Sequence, residues 1–256
     1  MSSTAKHRIA SAALIIGFFV LWEFICWAFK ISSIVLPRPS EILTTLVERM
    51  PAIWPHAAQT LYETLVGFAL GVAIGVAIGV VVGSSKLAYD VAYPLLIGFS
   101  SIPKIAVVPI FVLWFGAGTV PAVLTAMILC IFPVVVNVAT GLATTEPELE
   151  DVMRSLRATR LDILTNVGLP RAMPYFFASL KIAITQAFVG AVLAETVAGN
   201  LGIGNFMLIA SSNFDVPLVF AGLVILAAMG VGLYVIFSLI EMRVTGWARR
   251  KELTVA

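Results

Sequence analysis

The sequence contains few charged residues and few residues that carry chemistry. Charged residues make up 12% of the 256 positions, about half the share of a soluble domain, and a net charge of +2 excludes the strongly basic surface that nucleic-acid binding requires. The two cysteines, Cys26 and Cys130, lie in apolar runs, which excludes a disulfide framework or a cysteine metal site. The sequence lacks the Walker A, H-E-x-x-H and G-x-S-x-G motifs. It therefore predicts a non-catalytic chain that binds no cofactor or metal.

Long hydrophobic runs are abundant instead. Hydrophobic residues form 60% of the chain and the mean hydropathy is +1.04, so most of the surface is expected to face lipid. A helix of about 20 apolar residues crosses a bilayer, and the chain contains six such segments. We predict an all-α integral membrane protein forming one domain, with spans at roughly 9–29, 61–83, 94–116, 120–142, 173–197 and 217–241.

Three of the predicted segments have features of their own. The first follows Lys6 and Arg8 as a signal peptide would, but its length and lack of a small-residue cleavage site favour a retained span. Residues 36–51 are more polar and predict a short interfacial helix with Ser40 as its N-cap. The third span contains three prolines and is expected to be kinked, or to begin as a separate helix near Leu87.

The distribution of lysine and arginine predicts the orientation in the membrane. With the N-terminus in the cytoplasm, eleven of these residues flank the spans on the inside and three on the outside, as the positive-inside rule requires. The external segments 117–119 and 198–216 contain neither lysine nor arginine. We therefore expect a multi-pass membrane protein with both termini in the cytoplasm.

A ladder of glycines marks one face of the second span. Glycine recurs at every fourth position there, at Gly67, Gly71, Gly75, Gly79 and Gly83. Small residues at this spacing let two helices approach closely in lipid. The ladder predicts tight helix packing, either against this chain or against a second subunit.

A polar island, defined as residues 144–171, separates the fourth and fifth spans. It contains nine of the thirty charged residues. Thr145 and Glu148 match a capping box at a helix start, with Pro147 in the first turn. An apolar stripe follows at helical spacing, formed by Leu149, Val152, Met153 and Leu156. A helix on the membrane surface is one interpretation, but acidic and basic residues mixed on the polar face favour a protein partner.

Three ordered blocks resemble one family of transport proteins. The island resembles the EAA loop of binding-protein-dependent ABC importer permeases, because Val167-Gly168-Leu169-Pro170 matches the end of that motif. At the same spacing Asp151-Val152-Met153 stands where E-A-A is expected, and Arg157 stands where glycine is expected. Segments 101–118, 169–184 and 194–204 are similar to permeases for nitrate, sulfonate, taurine and bicarbonate.

The resemblance implies a type I ABC importer fold with a cytoplasmic coupling helix, located in a bacterial inner membrane. The chain would be a permease subunit paired with a second copy, two ATPases that use ATP and Mg, and a periplasmic binding protein that delivers a small polar or anionic solute. Asp151 would face a basic residue of the ATPase. The residues that dock on the ATPase would be Glu148, Leu149, Asp151, Val152, Met153, Leu156 and Arg157. Because arginine does not favour a sharp bend, the helix is expected either to bend differently at Arg157 or to run on.

Charged residues inside spans are candidates for function. Glu23, Glu63, Lys104, Lys181 and Glu195 qualify. Lys104 and Lys181 are candidates for attracting an anion in the pathway, and Glu195 for lining the pathway or an external gate. The alternative is internal ion pairing or extension of the side chain to the interface.

Three other functions remain open. A permease of the same family for a pyrimidine or vitamin precursor is the nearest alternative. A stand-alone secondary transporter or channel would show acidic or histidine relays in the spans or an internal inverted repeat, and neither is evident. A membrane enzyme would need a catalytic constellation near one interface, and none is visible in the sequence.

Overall fold

The protein is described here from a computed structural model that covers residues 3–144 and 147–245, and all regular structure in these residues is helical. The helices, in chain order, are α1 (Ser3–Ala28), α2 (Pro39–Gly83), α3 (Lys86–Ser100), α4 (Val108–Phe115), α5 (Thr119–Ala143), α6 (Pro147–Ser155), α7 (Arg160–Ile163), α8 (Leu169–Ala198), α9 (Ile203–Ser212) and α10 (Val216–Val244). A 3₁₀ turn, Lys104–Val107, precedes α4, and a π turn, Leu164–Gly168, joins α7 to α8.

Among the described residues, four helical runs are long and apolar enough to cross a membrane. They are α2, α5, α10 and the run Leu161–Ala198 that includes α8. The segments Lys86–Ser100 and Lys104–Phe115 form a fifth only if they count as one span, because the chain bends by 75° between them. The apolar part of α1, Ala13–Ala28, is shorter. A sixth span at α1 therefore stays a prediction.

Helix α2 is longer than the sequence suggested. Its 45 residues run unbroken through Pro51 and Pro55, a length of about 68 Å, so the interfacial helix predicted over 36–51 is the first part of α2. Arg38, and not Ser40, is the N-cap, with proline at the first helical position. Ser40 instead donates from its backbone N–H and its hydroxyl to the Glu23 carboxylate at 3.0 and 2.8 Å. Glu23 thus fastens α1 to α2.

The glycine ladder lies against α5 of the same chain. All five glycines are buried. A Cβ atom built on Gly67 would lie 2.5 Å from the Cβ of Ala126, and one on Gly83 would lie 2.8 Å from the carbonyl oxygen of Ala139. Because side chains could not fit at these distances, the glycines set how closely α2 and α5 pack.

Small residues also bring α8 against α5. Ala183, Ala187 and Ala191 recur at every fourth position of α8 and are buried in the main core. A Cβ atom on Gly190 would lie 3.0 Å from the Cα of Ala126. Helices α2, α5 and α8 therefore form a tightly packed three-helix core, and many large apolar side chains remain exposed on its outside.

Segment 198–216, which the sequence predicts to be an external loop, is partly helical. It contains α9, whose Ile203 and Ala210 are buried. Ile203 packs in a second core cluster with Ile53 and Ala57 of α2 and Ala221 of α10. The prediction of a loop was wrong here because a ten-residue helix is too short to show as a span.

Candidate functional site

The polar island folds as two short helices that meet at a sharp bend. Helix α6 begins at Pro147 and ends at Ser155, and Arg157 has φ +60°, in the left-handed region. The Ala158 N–H donates to the carbonyl of Met153 at 3.0 Å, which is the bond that closes a helix with a left-handed residue after its end. The expectation that arginine would shift or abolish the bend is therefore wrong, because Arg157 adopts the conformation that glycine would supply.

The next helix has a capping box that the sequence reading missed. Thr159 accepts from the Asp162 N–H at 3.2 Å, and the Asp162 carboxylate accepts from the Thr159 N–H and hydroxyl at 2.8 and 2.6 Å. The T-x-x-D spacing carried this signal. The box predicted earlier begins at Thr145, which lies outside the described residues. Two helix ends thus fix the bend, one at Arg157 and one at Thr159.

The bend leaves apolar side chains facing outward. Val152 is 56% exposed and Leu156 is 72% exposed, while Met153 is half-buried. Leu161 in α7, which was not predicted, is also exposed. Glu148 and Asp151 are exposed beside them, whereas the side chain of Leu149 lies outside the described part. The three exposed apolar residues Val152, Leu156 and Leu161 are here called the island surface, and the exposed acids Glu148 and Asp151 precede them in α6.

A second feature lies where the third predicted span breaks. Helix α3 ends at Ser100, residues 101–103 are exposed, and the chain turns by 75° before α4. A cavity of about 460 Å³ lies at this break, lined by Ser100, Lys104, Ile105, Leu129, Phe132, Pro133, Val136, Asn137, Ile182 and Gln186. Lys104 Nζ donates to the Ser100 carbonyl at 2.8 Å and lies 4.7 Å from the centre of the Phe132 ring.

Lys181 occupies a different environment from Lys104. Its ammonium forms a salt bridge with Glu241 of α10, and both side chains are mostly buried. Lys181 therefore joins α8 to α10, as the alternative of internal ion pairing anticipated, and does not line the described cavities. The sequence reading did not single out Glu241, although an acid at the end of the last span was a usable signal.

Glu195 is enclosed by the segment that follows it. The side chain is 0% exposed, and its carboxylate accepts from the Gly204 N–H at 2.7 Å. Gly202 has φ +107° and leaves no room for a Cβ atom beside this carboxylate. The structure thus places Glu195 beneath the glycine-rich segment 199–204, and a role in the pathway or an external gate stays a prediction.

Glu63 is a second buried acid of the long helices. It lies on α2 and is 2% exposed. Gln59 bridges Glu63 and Thr119, donating at 2.8 and 2.7 Å. The two hydrogen bonds of Gln59 therefore link α2 to the first residue of α5.

The chain is similar to membrane components of known transport systems. Residues 71–246 match the family model described as "Binding-protein-dependent transport system inner membrane component". The chain is 36% identical to the riboflavin transport system permease protein RibX of Chloroflexus aurantiacus over 84% of this chain and 81% of that protein. It is 30% identical to a probable ABC transporter permease of Haemophilus influenzae, over 90% and 94%. It is 29% identical to a putative aliphatic sulfonates transport permease, SsuC, of Bacillus subtilis, over 91% and 85%.

Solved structures show the same fold. A chain of the MetNI methionine ABC transporter, in an inward-facing conformation, superposes with a TM-score of 0.68 at 19% identity, over 77% of this chain and 98% of that one. The type I importer fold expected from the sequence is thereby confirmed, as is the all-helical membrane class. The chain belongs to the family of binding-protein-dependent transport system inner membrane components, the permeases of ABC importers.

Proposed function

We propose that two copies of this chain form the pathway of an ATP-driven importer, with two ATPase subunits below and a periplasmic binding protein above. ATP and Mg would be bound by the ATPases and not by this chain. Both termini and the polar island would lie in the cytoplasm, in agreement with the positive-inside distribution. The island surface is the observation that carries this proposal, because apolar side chains that project into water on a short, fixed helix pair favour a protein groove as their partner.

The island surface has a composition suited to docking. Val152 and Leu156 supply apolar anchors, and Asp151 beside them is exposed and available to a basic residue of the ATPase. Anchors surrounded by charged residues give an interface both affinity and orientation. The left-handed Arg157 holds the two halves of the surface at a fixed angle.

The transported solute is proposed to be small and polar or anionic. Relatives named for aliphatic sulfonates, nitrate and taurine support this class. The alternative is a vitamin or pyrimidine precursor, and relatives named for riboflavin and formylaminopyrimidine favour it. Uptake of labelled taurine, nitrate and riboflavin by cells that express the whole transporter would separate these classes.

Co-purification tests the docking role. The chain is co-expressed with its candidate ATPase subunit, and Val152 and Leu156 are changed together to aspartate. We expect the ATPase to be lost from the purified complex while the membrane protein is still produced. The matched control is Phe214→Asp, an equally exposed apolar residue between α9 and α10. Retention of the ATPase by the double variant would refute the proposed docking surface.

A further inference from the structure

Lys104 lies in the central part of the transmembrane region. The cavity beside it is lined by Phe132 and Asn137 of α5 and Gln186 of α8. Phe132 and Gln186 stand near the middle of the predicted spans 120–142 and 173–197. The cavity is therefore near the midplane of the bilayer, where a charged side chain is expensive and marks a functional position.

The backbone at the cavity cannot face hydrocarbon. Residues 101–103 are exposed and belong to no helix. The Ser101 and Ile102 N–H groups donate to carbonyls at the end of α3, and the Pro103 carbonyl accepts from Ala106, but among the described residues no backbone N–H donates to the Ser101 or Ile102 carbonyl. Irregular backbone at membrane depth is tolerated only where it is covered by protein or lines a water-filled space. Substrate sites of transporters are typically formed at such interruptions. The face around the break is therefore wet or covered, and the cavity opens onto it.

Lys104 has no anionic partner within the described part of the chain. Its ammonium contacts the Ser100 carbonyl and the Phe132 ring, and the salt bridge found among the described residues belongs to Lys181. The charge of Lys181 is balanced by Glu241, whereas that of Lys104 is not. An unbalanced cation beside amide side chains in a cavity of this size has the composition of an anion site.

We propose that the cavity around Lys104 is an anion-binding station of the translocation pathway, with Asn137 and Gln186 as neutral hydrogen-bonding groups. The proposal rests on the function proposed above and narrows its solute to molecules with an anionic group such as a sulfonate or carboxylate. Lys104 attracts the anion, while Phe132 and the Ser100 carbonyl hold the ammonium at the break.

Thiol labelling with charged reagents tests the station without knowledge of the solute. Gln186→Cys is introduced into the full transporter in membranes and labelled with the anionic sulfonatoethyl methanethiosulfonate or the cationic trimethylammonioethyl analogue. Native Cys26 and Cys130 are buried and give the background. We expect faster labelling by the anionic reagent, and a fall of the anionic-to-cationic rate ratio by about tenfold or more with Lys104→Gln.

Three controls give the result its meaning. Lys104→Arg should restore the ratio, because it restores the charge. Lys86→Gln, at the other end of α3 and exposed, should leave the ratio unchanged. Ile236→Cys, on the exposed apolar side of α10, should react with neither reagent if that side faces lipid.

Two results would overturn the proposal. The first is a ratio that Lys104→Gln does not change, and the second is a Gln186→Cys variant that neither reagent labels. Co-purification of the ATPase is scored on the same membranes. If the parent protein does not retain the ATPase but the labelling ratio still depends on Lys104, the proposed function is refuted and the anion site stands. If the parent protein retains the ATPase but the labelling ratio does not depend on Lys104, the anion site is refuted and the proposed function stands.

Discussion

Replacing a glycine of the ladder by alanine should have the opposite effect on stability from the same replacement at an open position of another helix. At Gly67 a new Cβ atom would lie 2.5 Å from the Cβ of Ala126 and 2.8 Å from the Val123 carbonyl oxygen. Both neighbours are fixed to the backbone of α5 and cannot rotate away. At Gly232 of α10 no atom lies within 4 Å of the new Cβ position among the described residues. The same chemical change therefore meets a rigid wall at one site and open space at the other.

The magnitudes follow from two opposing effects. Optimal carbon contacts are about 3.5–4.0 Å, so Gly67→Ala requires α2 and α5 to separate by about 1 Å, and overpacking of this kind costs about 1–3 kcal/mol. Replacing glycine by alanine within a helix returns about 0.5–1 kcal/mol. The net expectation is a loss of about 0.5–2 kcal/mol for Gly67→Ala and a gain of about 0.5–1 kcal/mol for Gly232→Ala.

Thermal unfolding in detergent measures the difference. A thiol-reactive dye that fluoresces on reaction reports the exposure of Cys26 and Cys130, both of which are buried in the folded chain. With about 2–4 °C per kcal/mol for a chain of this size, Gly67→Ala should lower Tm by about 1–8 °C, and Gly232→Ala should raise it by about 1–4 °C. A rise in Tm for both variants would mean that the ladder faces lipid, and the packing of α2 on α5 would be refuted.

The same thermal assay checks five further substitutions at four residues. Arg157→Gly should raise Tm by about 2–8 °C, because it relieves a left-handed residue that costs about 1–2 kcal/mol, and a fall would show that the side chain stabilises the bend. Glu195→Ala should lower Tm by about 2–12 °C, since it orphans the buried Gly204 N–H at about 1–3 kcal/mol. Glu195→Gln keeps an acceptor and should cost less, so equal losses would contradict the hydrogen-bonding role. Lys181→Met should cost more than Lys104→Met, because Lys181→Met deprives the buried Glu241 of its salt bridge, and the reverse order would refute the contrast between the two lysines.

Regular patterns in the sequence predicted the architecture well. Long apolar runs predicted the helices, and glycine at every fourth position predicted a tightly packed face, because both depend on local spacing alone. The neighbour of that face was not predictable. Whether Gly67 meets α5 of this chain or a second subunit depends on contacts between residues about sixty positions apart, and one sequence contains no record of such contacts.

For the charged residues, too, the sequence predicted which residues matter but not which neighbours they have in the fold. The sequence singled out Lys104, Lys181 and Glu195 as costly charges in lipid, and each has an environment that explains it. It could not distinguish the two lysines, because they differ in that Lys181 forms a salt bridge with Glu241, sixty residues after it in the chain. Likewise, Glu63 of α2 is linked through Gln59 to Thr119 of α5 only because these two helices pack together.

The bend at Arg157 was misjudged for another reason. Residue preferences describe the average cost of a conformation, and a cost of about 1–2 kcal/mol for a left-handed residue is small enough to be offset by its surroundings. Here the Ala158–Met153 hydrogen bond closes one helix, and the Thr159–Asp162 box opens the next. Because the end of α6 and the start of α7 are both fixed by hydrogen bonds, the conformation of Arg157 between them is restricted.

Helix α8 joins the three functional features into one mechanical unit. Its first turn continues from the π turn that ends the polar island, its middle carries Gln186 at the Lys104 cavity, and its last turns carry Glu195 under the glycine-rich segment. The helix is about 45 Å long and packs against α5 through small side chains, which leave little space for α8 to slide or bend independently. A force applied at the island would therefore be transmitted through this one helix to the cavity and to the end that carries Glu195. Packed elements of this kind move between discrete arrangements and do not deform gradually, so docking at the island and exposure of the Lys104 cavity should change together.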